Sequence, residues 1–293
     1  MLATPTTNLT TTTTPRAYDG QTSIFLPTPA TIVEVKTETK REKTYTVRLP
    51  GGQNLGHIPG QFVMVSLPGV GEAPISVMSS PSRTGETFKL CIRNAGDLTS
   101  LIHTLQQGDE IGIRGPFGRG FPMETFVGKD MLIAAGGLSL APVRSVIDQI
   151  LDNRANFGRL IILYGARDPS ELLFLDTIAE WEKRDDVEVL VTVDRGDDTW
   201  KGHVGVITTL FEHIQINPFR TIAVTEGPPI MYRFVTIELL GKGLTPEQIW
   251  MSFERRMKCG VGKCGHCQVN HRYCCQDGPS WTYAEALAFE EAL

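Results

Sequence analysis

The chain has 293 residues, 28 basic and 33 acidic for a net charge of −5, with 41% hydrophobic and 21% charged residues. That balance excludes a disordered or fibrous chain and leaves room for two ordinary domains and a short third module. It also gives no electrostatic footprint for nucleic acid, and no apolar run is long enough for a membrane span.

The first fourteen residues contain eight threonines. Residues 1–21 read as a disordered tail, because they offer little to bury against the entropy cost of ordering. They lack the apolar core of a signal peptide. An organelle address is the alternative reading of this threonine-rich leader, with only Arg16 to support it.

Residues 22–125 read as short antiparallel strands with turn punctuation. Thr31–Val35 and Thr44–Leu49 alternate apolar and polar residues around a charged turn, and Gln61–Leu67 follows the Pro59–Gly60 turn. Thr87–Arg93 and Glu110–Arg114 also alternate, and one helix is predicted near Leu98–Leu105. This spacing of short strands predicts a β-barrel.

The pattern changes near Lys129. Met131–Ala135 is an apolar strand, followed by Val143, Val146, Ile147, Ile150 and Leu151 on one helical face. Strands Leu160–Tyr164, Val187–Val193, Thr221–Val224 and Gln248–Phe253 then alternate with helices at Leu172–Lys183, Val204–Ile214 and Ile230–Leu240. Residues 126–253 therefore read as an α/β domain, a parallel sheet with helices on both faces. The predicted fold class is a β-barrel plus α/β, with a small C-terminal module at 254–293.

Five of the six cysteines fall in that last module, and Cys91 stands apart in the barrel region as inert packing. Such clustering points to a metal site in a reducing compartment rather than a disulfide framework. Cys259, Cys264 and Cys267 have the C-x4-C-x2-C spacing of a plant-type [2Fe–2S] cluster, with a fourth thiolate from Cys274 or Cys275. Gly260, Gly262 and Gly265 allow a tight wrap that turns backbone N–H groups toward sulfur. Structural zinc also takes four thiolates, but usually through paired CxxC knuckles, and one CxxC is present here. His266, inside the loop, is expected to be exposed rather than a ligand.

The stretch Glu254-Arg-Arg-Met-Lys-Cys259-Gly-Val-Gly-Lys-Cys264-Gly-His-Cys267, followed by Cys275-Gln-Asp-Gly-Pro279, resembles one family of ferredoxin–NADP reductase-like proteins. It includes hydrogenase gamma subunits of the sulfhydrogenase type and the electron-transfer subunits of dihydroorotate dehydrogenase and anaerobic sulfite reductase. The resemblance spans about residues 25–285. It implies that Cys259, Cys264, Cys267 and Cys275 hold the cluster, since the fourth ligand precedes a residue–Asp–Gly–Pro turn. Cys274 is then a spare thiol.

The same resemblance implies that the barrel binds FAD. Its motif Arg-x-Tyr-Ser is here Ala73-Pro74-Ile75-Ser76, with serine kept and arginine and tyrosine replaced. Ser76 would meet the flavin edge and Ile75 its face, while Arg93 is the candidate to replace the missing cation. Gly96, Leu98, Thr99 and Ser100 match the helix-start phosphate motif, for which a plain helix cap is the alternative.

Gly136-Gly137-Leu138-Ser139, with Pro142 behind, joins the first apolar strand to its helix. Glycines there let N–H groups approach a pyrophosphate. The family's loop has a third glycine where Ser139 stands. Arg167 is placed either to meet a 2′-phosphate, favouring NADP, or to pair with Asp168 or Asp176; Arg195 is a second candidate. Glu226-Gly227-Pro228 replaces the family's Cys-Gly-Pro beside the nicotinamide. Ser76 and Glu226 are thus the candidates nearest the chemistry.

These features predict an oxidoreductase that passes electrons between NAD(P)H and a catalytic partner subunit through FAD and a [2Fe–2S] cluster. The expected setting is a cytoplasmic complex with NiFe hydrogenase subunits. A dihydroorotate dehydrogenase or sulfite reductase partner is the alternative. A zinc-stabilised, non-catalytic binding module is the reading of another class.

Overall fold

A computed structural model describes residues 23–253 and 255–289. The threonine-rich leader lies outside the described residues.

The first sheet contains β1 (Thr28–Thr37), β2 (Glu42–Arg48), β3 (Phe62–Leu67), β4 (Gly71–Ser76), β5 (Thr87–Arg93) and β6 (Glu110–Phe117), in the order β4-β3-β6-β1-β2-β5. All its pairings are antiparallel, and a bridge from Val77 to Leu90 draws its two edges together as a barrel. Alternation carries Ile32, Tyr45, Val47, Val63, Val65, Leu90 and Ile113 inward to one core. The sequence reading overlooks β4. Its Pro74 argues against a strand, yet is tolerated because β4 is an edge. The short helix α1 (Asp97–Ile102) is fastened to the barrel where Tyr45 donates to the Ile102 carbonyl at 3.0 Å. Burial pushes the Tyr45 phenol up to about 12, so it stays a donor.

The second sheet has the order β10-β9-β8-β7-β11-β12-β15. Its strands are β7 (Asp130–Gly136), β8 (Leu160–Ala166), β9 (Val187–Val193), β10 (His203–Val204), β11 (Thr221–Glu226), β12 (Ile249–Ser252) and β15 (Ser280–Thr282). Helices α2 (Leu140–Asp152), α3 (Leu175–Glu182) and α4 (Pro229–Gly241) connect them. Successive residues of β7 and β8 serve opposite faces. Leu132, Ala134, Ile161 and Leu163 join one core, and Met131, Ile133, Leu160 and Ile162 join the other. Both faces are therefore covered, as the continuous apolar runs require. Residues 204–214 depart from the predicted helix. They form β10's last residue and a 3-10 turn over Ile207–His213. The β-branched run Val204–Thr209 disfavours a helix, and Gly205 has a positive φ of 140°.

The cysteine segment does not stand apart. It contains a two-residue hairpin, β13 (Gln268–Val269) and β14 (Arg272–Tyr273), then α5 (Cys274–Asp277), β15 and α6 (Tyr283–Leu287). β15 pairs antiparallel with β12 and extends the second sheet. Met257, Val269, Trp281 and Phe289 share a core with Met64 of the barrel and Met251 of the sheet. The segment thus borrows an apolar core that its own length cannot supply.

Barrel and second sheet are joined by ions as well as packing. Arg83 reaches α2, with Nη1 2.8 Å from Asp148 and Nη2 2.6 Å from Asp152. Burial raises the Asp148 carboxyl, while the Arg83 hydrogen bond holds Asp152 below the usual range. Arg83→Ala is expected to cost about 1–2 kcal/mol, because buried Asp148 loses an ion-pair partner and Asp152 its charged hydrogen-bond donor. Calorimetry should show the lower Tm. The Asp152 share of stability is present above the ordinary carboxylate range and is lost as pH falls through its depressed value.

Candidate functional site

Strand β7 lies between β8 and β11, so the chain reverses direction of travel across the sheet at the β7–β11 boundary. Ligands of open α/β sheets bind outside the carboxyl ends of strands at such a point. Both strands end there in glycine turns, Gly136-Gly137 and Gly227. A Cβ on Gly136 would lie 2.7 Å from Met231 Sδ and 3.7 Å from the Gly227 Cα, so the two turns close on each other. Gly137 has φ 58° and open space beside it, a cradle that a side chain would fill. The Tyr164 hydroxyl holds this turn, donating to the Gly137 carbonyl at 3.2 Å and accepting from the Leu173 N–H at 3.1 Å. Leu138 is half-buried and Ser139 buried, leading into α2 with Pro142 in its first turn. The cradle fits a pyrophosphate.

Arg167 and Arg195 follow β8 and β9, both exposed, with the Arg195 N–H donating to the Arg167 carbonyl at 3.0 Å. Neither Asp168 nor Asp176 pairs with Arg167. Asp168 accepts from the Ser170 hydroxyl and Asp176 pairs with Lys36. Of the two alternatives, the acid pairing is therefore the one the fold does not make.

On the barrel side, Ala73, Pro74, Ile75 and Ser76 are half-exposed along edge strand β4. Ile75 packs partly on the barrel core, as does Leu98 of α1. Gly96 has open space beside it, and the first i→i−4 bond of α1 is from Ser100 N–H to the Gly96 carbonyl at 2.8 Å. The N–H groups of Asp97 to Thr99 precede that bond and face outward from the helix start. The hydroxyls do capping work: Thr99 Oγ1 accepts from Ala95 and Gly96 N–H groups, and Ser100 donates to Asn94. Arg93 forms an ion pair with buried Glu42, so its charge is partly met within the barrel.

Barrel, sheet and cysteine segment meet at one cavity of about 200 Å³. Pro74 and Ser76 line it from β4, Glu226 from the end of β11, and Phe253, Arg255, Met257 and Pro279 from the approach to the cysteines. Glu226 is buried, 3% exposed. The Tyr232 hydroxyl accepts from the Gly227 N–H at 3.4 Å and donates to the Ser252 carbonyl, locking the Glu226 turn to β12.

In the cysteine loop, Gly260, Gly262 and Gly265 all have positive φ, of 73°, 68° and 77°. These conformations turn N–H groups toward sulfur. Cys259 Sγ accepts from Val261 and Lys263 at 3.5 and 3.3 Å, and Cys275 Sγ from Gly262 at 3.1 Å. Cys264 interacts with Cys259, and Cys275 with Cys267 and also with Cys259, while Cys274 too lies within electrostatic reach of Cys267. The His266 N–H chiefly holds the Cys264 thiol below its usual range, while the His266 residue is exposed. Burial pushes Cys274 and Cys275 alike up to about 12, so protonation does not separate them. Direction does: the Gly262 N–H meets the Cys275 Sγ, although both cysteines are buried in the shared core. Interacting thiols wrapped by N–H donors fit a two-iron cluster.

Sequence reasoning misses Arg114, which is buried in the middle of β6 and donates to the Cys259 carbonyl at 3.0 Å. It also misses the apolar wall of Phe62, Phe253 and Met257. Arg114 follows Ile113 directly and so lies on the opposite face of β6 from the Ile111, Ile113 alternation, where periodicity gives no signal for a buried cation.

Three domain families match the chain. They are the oxidoreductase FAD-binding domain over 29–121, the oxidoreductase NAD-binding domain over 132–236, and the iron–sulfur cluster binding domain of dihydroorotate dehydrogenase B over 254–286. The chain is 40% identical over 279 residues to the sulfhydrogenase 2 gamma subunit of Pyrococcus furiosus, covering 88% of this chain and 96% of that one. It is 32% identical to a probable dihydroorotate dehydrogenase B (NAD(+)) electron transfer subunit of Methanocaldococcus jannaschii, covering 86% and 88%. Among solved structures, an NADH-dependent reduced ferredoxin–NADP oxidoreductase superposes with a TM-score of 0.67 at 24% identity, covering 87% and 88% of the two chains, which shows the shared fold.

Proposed function

Because the chain belongs to the ferredoxin–NADP reductase-like electron-transfer subunits, the family of the sulfhydrogenase gamma subunits, we propose that it serves as the diaphorase subunit of a NiFe hydrogenase. It is an NAD(P)H-linked flavin iron–sulfur oxidoreductase with FAD-binding, NAD-binding and iron–sulfur domains. We assign the leader to 1–21, the flavin barrel to 22–125, the nucleotide domain to 126–253 and the cluster module to 254–293. The cluster is a [2Fe–2S] held by Cys259, Cys264, Cys267 and Cys275. The higher identity to sulfhydrogenase gamma subunits, 39 and 40% against at most 35% for the dihydroorotate dehydrogenase subunits compared, favours hydrogenase over the dihydroorotate dehydrogenase alternative.

The observation that carries the mechanism is the shared cavity, where Ser76, Glu226 and the approach to the cysteines converge. FAD, when bound, supplies the exchange between paired and single electrons that NAD(P)H and an iron–sulfur cluster require. The residues of the chain arrange that meeting. The Gly136-Gly137 cradle and the first turn of α2 hold the nucleotide pyrophosphate. Gly96 and the start of α1 hold the flavin phosphates, and Ser76 donates to the flavin edge. Glu226 sets a carboxylate where positive charge on oxidised nicotinamide needs a partner. Phe62, Phe253 and Met257 exclude water from the cavity. Cys264, exposed directly after the exposed Lys263, marks the side from which electrons leave for the partner subunit.

No helix among the described residues is long and apolar enough to cross a membrane. All six cysteines are free, which suits the reducing cytoplasm in which we place the complex. Anaerobically purified protein is expected to show flavin bands and an iron–sulfur shoulder, both bleached by NADH or NADPH. A colourless, zinc-containing protein would overturn the proposal.

A further inference from the structure

Arg114 is a buried cation with every guanidinium nitrogen engaged and a side chain 4% exposed. Its Nε and Nη2 meet Glu72 Oε1 and Oε2 at 2.7 and 2.6 Å, a two-pronged pair across the barrel. Nη1 donates to the Ile24 carbonyl at 2.9 Å, and Nη2 to the Cys259 carbonyl at 3.0 Å. The guanidinium also lies 5.5 Å from the Phe117 ring. That ring packs on the next loop residue, since a Cβ on Gly260 would come within 2.9 Å of it. One strand, β6, therefore grips Cys259 and Gly260 together.

Burying a guanidinium is costly unless it is paired and its donors are used. Glu72 offsets the charge, but it is 24% exposed, and the Nη2 it engages is the one that also donates to the Cys259 carbonyl. The end of the ion pair that touches the cysteine loop is the positive one. Adding an electron to a cluster adds negative charge, and in a low-dielectric site a nearby cation favours that state.

We infer that Arg114 is a positioning residue that seats the cluster loop through the Cys259 carbonyl and, with Glu72, sets the cluster's reduction potential. The inference rests on Cys259 being a cluster ligand. It ties the potential of the cluster to the barrel that holds the flavin, rather than to the cysteine segment alone.

Redox titration of the anaerobic, cofactor-loaded full chain, followed by electron paramagnetic resonance, tests it. Arg114→Gln is expected to shift the cluster's one-electron equilibrium about tenfold toward the oxidised form, 59 mV more negative. Glu72→Gln is expected to shift it roughly threefold in the opposite direction, and Arg114→Lys to stay within roughly threefold of the parent. A merely structural pair predicts changes of one sign, or cluster loss, in all three. Equal potentials in Arg114→Gln and the parent, or an Arg114→Lys shift as large as that of Arg114→Gln, would overturn the inference. If Arg114→Gln fails to hold a cluster, the sign of the Glu72→Gln shift decides. A cluster that survives Cys259→Ser would instead overturn the ligand assignment.

Discussion

Serine at Cys259, Cys264, Cys267 or Cys275 is expected to remove at least about nine-tenths of the bound iron, while Cys274→Ser keeps most of it. Loss of a direct ligand should exceed the roughly 10–100-fold in affinity that outer hydrogen-bond partners supply. The four thiols interact as described above, and backbone N–H groups from Val261, Gly262 and Lys263 are aimed at Cys259 and Cys275. Cys274 shares the buried core with Cys267 and Cys275, and its N–H donates to the Cys267 carbonyl at 3.1 Å, but the loop N–H groups are aimed at Cys259 and Cys275. Its replacement should cost about 1 kcal/mol of stability through a buried hydroxyl, without loss of colour. Iron analysis and the visible spectrum read both outcomes. Flavin content should stay near parental in all five variants, because the barrel core is a separate cluster of side chains. Equal iron loss from Cys274→Ser would reject the assignment.

Glu226→Cys is expected to slow NAD(P)H-driven bleaching of the flavin more than tenfold, ~1.4 kcal/mol in the barrier. Glu226 sits at the end of β11, 3% exposed, and lines the same cavity as Ser76. A buried carboxylate beside a developing cation acts at low dielectric, where its influence is large. Cysteine removes the charge and restores the residue that the family usually carries. Glu226→Asp keeps the charge on a shorter arm and should fall between the two. Stopped-flow rates for Glu226→Cys within threefold of the parent would sink the proposal.

The two sheets differ in how much of them could be read in advance. Val187–Val193 and Thr87–Arg93 match the observed strands to the residue, because their periodicity is strong and turns bound both ends. β4 escapes because Pro74 is a strand breaker everywhere but at an edge, and edge status is a property of the assembled sheet. The helix expected over 204–214 fails for a local reason, a β-branched run interrupted by Gly205. The cysteine segment is too short to build an apolar core of its own. In the fold it shares one with Met64 and Met251.

The candidate site divides the same way. Thiol spacing and glycine turns are local, covalent features, so the sequence alone determines a cluster-type cysteine loop, a nucleotide-type turn after β7 and an acid in place of the family's cysteine at position 226. Which of two adjacent cysteines faces the loop is not encoded in spacing, because Cys274 and Cys275 differ by one residue. It is decided when α5 turns Cys275 toward the Gly262 N–H. Nor could the sequence bring Ser76, Glu226 and Met257 to one cavity, or place Arg114 against Cys259 across 145 positions. Those meetings depend on long-range packing, in which two sheets and a borrowed core fix where distant side chains converge.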